Sequence, residues 1–138
     1  MTLRRKSREF ALQMLFEWDM TRQDPRRVEN NFWKSARAAQ QTRKFADQLF
    51  EGAVAQSDSN DKLVSELSEN WRFERMATVD RNILRLAIYE FRAGTAPINV
   101  VIDEALELAQ KFSSAEASAF LNGILDAASK RLESSQQT

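Results

Sequence analysis

Residues 76–126 read MATVDRNILRLAIYEFRAGTAPINVVIDEALELAQKFSSAEASAFLNGILD, and this stretch decides the fold class. Its apolar residues recur every three or four positions, which is the period of an amphipathic α-helix. Gly94 and Pro97 interrupt the pattern, as expected between the end of one helix and the start of the next. No segment alternates between apolar and polar residues as a half-buried strand does. The stretch therefore predicts three consecutive helices.

The same period extends over the rest of the chain and predicts an all-α protein of about seven helices. Asp24 before Pro25 predicts a capped helix start, because an Asp side chain accepts hydrogen bonds from free backbone N–H groups. Polar breaks and caps set the other boundaries. The predicted helices are Arg4 to Met20, one from Pro25, one after Thr42, one from Asp58-Ser59 to about Trp71, one capped by Thr78, one opened by Pro97 and one capped by Ser113-x-x-Glu116.

Residues 1–133 are predicted to form one domain, because a chain of 138 residues can bury a sizeable core without disulfides. The polar residues 134–138 are expected to be a disordered tail. The chain has no Cys and no His, which excludes disulfides, thiolate metal sites and the catalytic triads that need either residue. Its three glycines are too far apart for a phosphate-binding loop. We expect a cytosolic protein without a membrane span or signal peptide, and no catalysis.

The net charge is zero, but the charges are unevenly distributed along the chain. Residues 1–45 contain 11 Lys and Arg against 5 Asp and Glu, whereas residues 46–138 contain 9 against 15. A basic N-terminal third suits a polyanion, and an acidic remainder suits a basic protein partner or solubility alone. Glu104 and Glu107 share a helix face and are expected to form a solvated stripe.

The first helix carries cations and an aromatic ring on the face opposite its core stripe. The core residues run from Phe10 to Trp18, and Arg5, Leu12 and Phe16 lie on the other side. Because arginines bind phosphates and Phe stacks on unpaired bases, this face suits single-stranded RNA. Burial of Leu12 and Phe16 against another helix explains the pattern equally well, and exposure of both would suit a homodimer. The cations at the start of the helix are Arg4, Arg5, Lys6 and Arg8.

Two motifs in the second half of the chain each have a structural and a functional explanation. Phe120 lies on the flank of the last helix, where it could stack on a base or fill the core. Asp80-Arg81 lies in the first turn of the fifth helix, where an Asp complements the helix dipole. A charged contact to a basic partner is the alternative, and Glu74 lies nearby. Gly123 is expected to allow close packing, because Gly in a helix interior otherwise costs about 1 kcal/mol.

Taken together, these residues resemble the NusB family of bacterial transcription antitermination factors. The resemblance covers Arg4 to about Ala128, and its most specific parts are motifs in the same order and spacing. These are Arg8-Glu9-x-Ala11-Leu12-Gln13, Val79-Asp80-Arg81-x-Ile83-Leu84-Arg85-Leu86-Ala87-Ile88-Tyr89-Glu90, Pro97 to Lys111 with Asp103-Glu104-Ala105, and Phe120-x-Asn122-Gly123-x-Leu125-Asp126.

The resemblance implies an all-α fold of two helical bundles packed together, with no catalytic activity and no cofactor. NusB-like proteins bind the boxA element of nascent RNA as a heterodimer with NusE, a small-subunit ribosomal protein. That complex joins RNA polymerase and other Nus factors and suppresses termination during ribosomal RNA synthesis. The resemblance assigns NusE contact to Asp80, with Arg81 and Glu74 beside it. It assigns RNA contact to Arg4, Arg5, Lys6, Arg8, Phe16, Glu116 and Phe120.

The chain departs from the family pattern near two of its aromatic residues. Ser118 and Ala119 replace the larger polar or basic residues that precede Phe120 in some relatives, which removes phosphate contacts. Phe16 lacks the hydroxyl of the Tyr in many relatives. Two rival functions remain open. One is a helical protein-interaction adaptor without RNA binding, and the other is a detached NusB-like domain of a ribosomal RNA methyltransferase.

Overall fold

The computed structural model describes residues 3–68 and 75–136, and these residues form seven α-helices and no strand. None of the helices in these two ranges combines the length and the hydropathy that a membrane span requires. The all-α prediction is confirmed. The helices are α1 Leu3–Thr21, α2 Pro25–Ser35, α3 Gln40–Ala55, α4 Ser57–Leu67, α5 Thr78–Ala93, α6 Ile98–Phe112 and α7 Ala115–Gln136.

The helices pack as two groups that are joined by α5. The first group is α1, α2 and α3, which pack on one another. In the second group α6 and α7 pack on each other and on α5, and α4 lies against α5 and α7. Residues 82–90 of α5 are all buried, because α1 and α3 also pack on this helix. This arrangement confirms the predicted pair of packed helical bundles.

Hydrogen bonds and backbone angles confirm two of the predicted helix boundaries. The Asp24 carboxylate accepts from the backbone N–H of Arg26 at 2.9 Å, and Pro25 is the first residue of α2. Gly94 ends α5 with a φ of 66°, a left-handed conformation that residues with a Cβ atom rarely adopt. The next helix, α6, begins directly after Pro97, as predicted.

Two predicted caps are at the wrong residue. The cap of α7 is Ser114, whose hydroxyl accepts from the backbone N–H of Ala117 at 3.0 Å, whereas Ser113 ends α6. Adjacent serines offer the same hydroxyl group, so the sequence pattern does not distinguish them. Thr78 lies inside α5, and Ala77 occupies the cap position without a side-chain hydrogen bond.

Two helix ends also differ from the prediction. The structure ends α4 at Leu67, and the predicted end near Trp71 lies outside the described residues. Residues 134–136 were expected in a disordered tail, but α7 continues to Gln136. Extending a helix adds one hydrogen bond for each residue fixed, and Leu132 packs against the core near this end.

The first helix, α1, is buried on two sides. Its core stripe from Phe10 to Trp18 packs inward, and Leu12 on the other side is only 3% exposed. Phe16 remains 40% exposed. Of the two explanations for this face, burial therefore holds for Leu12 and exposure holds for Phe16. The two residues are therefore not exposed together, as would have suited a homodimer, because α1 packs against α2, α3 and α5.

Candidate nucleic-acid interface

Arg8 of the N-terminal basic cluster is buried in an ion pair. Its Nε and Nη2 atoms donate to the two carboxylate oxygens of Glu90 at 2.9 and 2.8 Å. The two side chains are 4% and 2% exposed. The hydroxyl of Thr95 donates to the same carboxylate at 2.7 Å. The pair fixes α1 on α5, and its burial argues against the predicted RNA contact of Arg8.

The other three cations of the cluster, Arg4, Arg5 and Lys6, lie at the surface. Arg5 donates through Nε and Nη2 to both carboxylate oxygens of Glu104 at 3.1 and 3.0 Å. Arg4 donates to the backbone carbonyl of Thr95 at 2.6 Å, and Lys6 has a side chain that is 47% exposed. Because these side chains reach solvent, this end of α1 can meet an anion.

A groove of about 120 Å³ lies between α1 and α6, beside Arg5. Lys111 donates to Glu9 in this groove at 2.7 Å. The side chain of Glu104 is only 17% exposed, so the expected solvated stripe is wrong for this residue, although Glu107 is exposed. The hydrogen bond and the charge of Glu104 raise the pKa of Arg5. The groove is lined by Arg5, Glu9, Glu104, Glu107, Leu108 and Lys111.

A larger cleft of about 450 Å³ lies between the N-terminal ends of α5 and α7. It is lined by Asp80 from α5 and by Glu116 and Phe120 from α7. Two residues predicted to bind RNA thus lie beside one predicted to bind a protein partner. The Oδ1 atom of Asp80 is buried and has no hydrogen-bond partner among the described residues. The other lining residues are Arg75, Met76, Ala77, Ser114 and Ala117.

The chemistry of the cleft suits an unpaired base. A half-buried aromatic ring such as Phe120 can stack on a base, and carboxylate oxygens accept hydrogen bonds from base amino groups. The exposed Arg75 adds a cation for a phosphate. Arg75 and Met76 belong to none of the sequence motifs, and their only signal is their position shortly before Asp80.

Arg81 belongs to a buried polar network and does not line the cleft. Its Nε atom donates to Asp19 at 2.6 Å, and Asn82 donates to the same oxygen at 3.0 Å. Burial alone would raise the pKa of Asp19, but the hydrogen bond from Arg81 and the charges of Arg85 and Arg81 lower it. The bond between α5 and α1 argues against the predicted partner contact of Arg81. Glu74, also predicted to bind the partner, lies outside the described residues.

The structure does not bring Phe16 together with the other predicted RNA-binding residues. Phe16 and Met20 are 40% and 63% exposed, one helical turn apart on α1. Neither residue lines the groove beside Arg5 or the cleft beside Phe120. The predicted site therefore consists of three separate surfaces: the basic start of α1, the exposed ring on α1 and the cleft.

Comparison with known proteins places the chain among antitermination proteins. The NusB family model matches residues 5–130. Transcription antitermination protein NusB of Koribacter versatilis (strain Ellin345) is 47% identical over 136 residues, covering 97% of this chain and 93% of that protein. The protein of the same name from Solibacter usitatus (strain Ellin6076) is 42% identical over 134 residues, covering 96% and 92%.

Solved structures share the fold. T. maritima NusB is similar with a TM-score of 0.82 at 32% identity, covering 92% of this chain and 90% of that chain. A chain in the crystal structure of antitermination factors NusB and NusE in complex with dsRNA has a TM-score of 0.85 at 23% identity, with 94% and 97% covered. The family match over residues 5–130, together with 47% identity to a relative of nearly the same length, shows that this chain belongs to the NusB family.

Proposed function

We propose that this chain is a transcription antitermination factor that binds single-stranded boxA RNA together with NusE and suppresses termination during ribosomal RNA synthesis. The observation that carries the proposal is the cleft between α5 and α7, where Asp80, Glu116 and Phe120 lie together. Family membership supports it, since the relatives at 47% and 42% identity are antitermination proteins. The mechanism is binding alone, with no chemical step and no cofactor.

In the cleft, RNA is held mainly through its bases. Phe120 offers a ring for stacking, and each base stacked on an aromatic ring contributes about 1 to 3 kcal/mol. Glu116 accepts hydrogen bonds from base amino groups, whereas the carboxylates of Glu116 and Asp80 repel phosphates. Arg75 supplies a cation, and the two residues before Phe120 supply none. Single-stranded boxA is the expected ligand, because its base edges are accessible.

On α1, RNA is held mainly through its phosphates. Arg4, Arg5 and Lys6 supply cations, and Phe16 supplies a second ring for stacking. Arg8 is a positioning residue, because its buried ion pair fixes the helix that carries the other three cations. Phosphate contacts of this kind make the affinity depend on salt concentration.

The surface for NusE is proposed to adjoin the cleft. Asp80 is partly exposed and lines the cleft, where its negative charge can attract a basic protein. NusE bound there would lie beside RNA stacked on Phe120, and a favourable contact between the two ligands would raise the affinity for each by the same factor. The assembled complex then joins RNA polymerase on nascent RNA, in the bacterial cytoplasm.

The experiment that tests this function is a titration with labelled boxA RNA and a scrambled control RNA, with and without NusE, at two salt concentrations. We expect tighter binding of boxA when NusE is present and weaker binding at the higher salt concentration. Phe120→Ala should weaken boxA binding at least about fivefold, because one base stack is lost. Phe120→Leu keeps an apolar side chain without the flat ring and should lose nearly as much.

Melting curves of both Phe120 variants serve as the control for folding. Equal affinity for boxA and the scrambled RNA in the presence of NusE would contradict the proposal. That result would favour the rival function of a protein-interaction adaptor that does not bind RNA.

A further inference from the structure

Two Arg–Glu pairs connect α1 to the second helical bundle, and both are bidentate. The pair of Arg8 and Glu90 lies in the interior, with side chains 4% and 2% exposed. The pair of Arg5 and Glu104 lines the groove between α1 and α6, with side chains 41% and 17% exposed. A ligand in solution can therefore reach the second pair and not the first.

The carboxylate of Glu104 holds Arg5 in the way that a phosphate would. A guanidinium group presents two parallel N–H donors, which match two oxygens of a carboxylate or of a phosphate. Both donors on the Nε–Nη2 edge of Arg5 are directed to Glu104, at 3.1 and 3.0 Å. A phosphate that binds this edge must therefore take the place of Glu104.

The groove around this pair is acidic. Glu9 and Glu107 line it together with Glu104, and their charges also raise the pKa of Arg5. Glu9 is already paired with Lys111 at 2.7 Å, whereas Glu107 is exposed. A phosphate that approaches Arg5 is thus repelled by these carboxylates as well as attracted by the guanidinium group.

We propose that Glu104 competes with RNA for the Nε–Nη2 edge of Arg5, so that a phosphate of RNA binds this edge only by taking the place of the carboxylate. The inference rests on the proposed function, because it requires RNA at the basic start of α1. Glu104 then limits the affinity for RNA. Polyanions that make few other contacts are disfavoured, because they do not compensate for the lost bonds of Glu104.

The test compares the affinity of Glu104→Gln and Glu107→Gln for boxA RNA in the presence of NusE. Both substitutions remove one negative charge from the same groove, but Glu104 holds Arg5 by two hydrogen bonds and Glu107 acts on it through its charge. We expect Glu104→Gln to bind about two- to fivefold more tightly, the range expected for a partly exposed ion pair. The gain for Glu107→Gln should be clearly smaller.

A third variant separates charge from contact. Glu104→Asp keeps the charge, but its shorter side chain no longer reaches both donors of Arg5. If competition depends on the bidentate contact, this variant should also bind RNA more tightly than the unmodified chain. Melting curves of all variants check that the fold is retained.

Substitution of Arg5 tests whether the gain passes through this residue. Arg5→Gln should bind RNA more weakly, and adding Glu104→Gln to it should give no gain. The competition is overturned if Glu104→Gln binds no more tightly than the unmodified chain, if Glu107→Gln gains as much, or if the gain persists in the Arg5→Gln background. Absence of any boxA binding by the unmodified chain with NusE would instead overturn the proposed function itself.

Discussion

The interior seam between α1 and α5 and the outer surface between α1 and α6 use the same residue types for different purposes. In the seam, Arg8 and Glu90 are 4% and 2% exposed. At the surface, Arg5 and Glu104 are 41% and 17% exposed. Both pairs have the same bidentate geometry, so their chemistry is alike and only burial differs. Burial therefore decides whether such a pair holds the fold or stays open to exchange with a ligand.

Breaking the seam is expected to have the largest effect on stability. Glu90→Ala leaves the buried guanidinium group of Arg8 without its counter-charge, which should lower the free energy of unfolding by about 3 to 5 kcal/mol. Urea unfolding followed by circular dichroism measures this loss. The matched control is Glu104→Ala, which breaks the exposed pair and should change stability little. Similar losses in the two variants would contradict the distinction between the pairs.

Two other carboxylates, Asp19 and Glu29, also differ in their surroundings, because arginines of the described ranges pair with the first and not with the second. Asp19 lies in the seam, where burial raises its pKa but the hydrogen bond from Arg81 and the charges of Arg85 and Arg81 together outweigh burial, so that the pKa is lowered. Glu29 lies on α2, where burial and the charges of Asp47 and Glu51 raise its pKa to about 7. Its Oε2 atom is buried without a hydrogen-bond partner among the described residues.

The two carboxylates should give opposite dependences of stability on pH. The pKa of Glu29 is raised on folding, so stability should fall as the pH rises from about 4.5 to about 7. The pKa of Asp19 is lowered, so its contribution is present above 3.8 and is lost as the pH falls through its folded pKa. Glu29→Gln mimics the protonated side chain and should raise stability at pH 8 by about 2 kcal/mol.

Urea unfolding at pH 5 and at pH 8 measures the effect of Glu29. The unmodified chain should be less stable at pH 8 than at pH 5, and Glu29→Gln should lose most of this difference. Glu17→Gln, on an exposed side chain of α1, is the control. An unchanged pH dependence in Glu29→Gln would show that Glu29 ionises as an ordinary surface carboxyl does.

Much of the fold could be predicted because helix boundaries depend on local sequence. The cap at Asp24 and the left-handed Gly94 each follow from two or three neighbouring residues. Burial of Arg8 could not be predicted in this way, because its partner Glu90 lies 82 residues further along the chain. On the sequence, Arg8 belongs to the same basic cluster as Arg5, and only packing separates them.

The candidate site likewise could be predicted only in part, because it joins residues that lie far apart in the sequence. The resemblance to the NusB family singles out Glu116 and Phe120 on one helix and Asp80 on another. Their common cleft depends on how α5 and α7 pack, which no local pattern contains. The bond between Arg81 and Asp19, which argues against the predicted partner contact of Arg81, could not be predicted either, because it spans 62 residues.

Two glycines, Gly52 and Gly123, differ in the space that surrounds their Cα atoms. Close packing is predicted at Gly123, but a Cβ atom there would meet nothing within 4 Å, and the residue is exposed. The prediction is wrong because Gly123 lies on the solvent side of α7. At Gly52, by contrast, a Cβ atom would overlap the ring of the buried Tyr89.

Alanine at each glycine should therefore change stability in opposite directions. Gly52→Ala should lower the free energy of unfolding by about 1 to 3 kcal/mol, because the Tyr89 ring must move. Gly123→Ala should raise it by up to about 1 kcal/mol, because Ala is the better helix former. Thermal melting measures both effects, and boxA binding by Gly123→Ala adds a second result. Weaker binding in a variant with a higher melting temperature would extend the RNA surface along α7, beyond the cleft at Phe120.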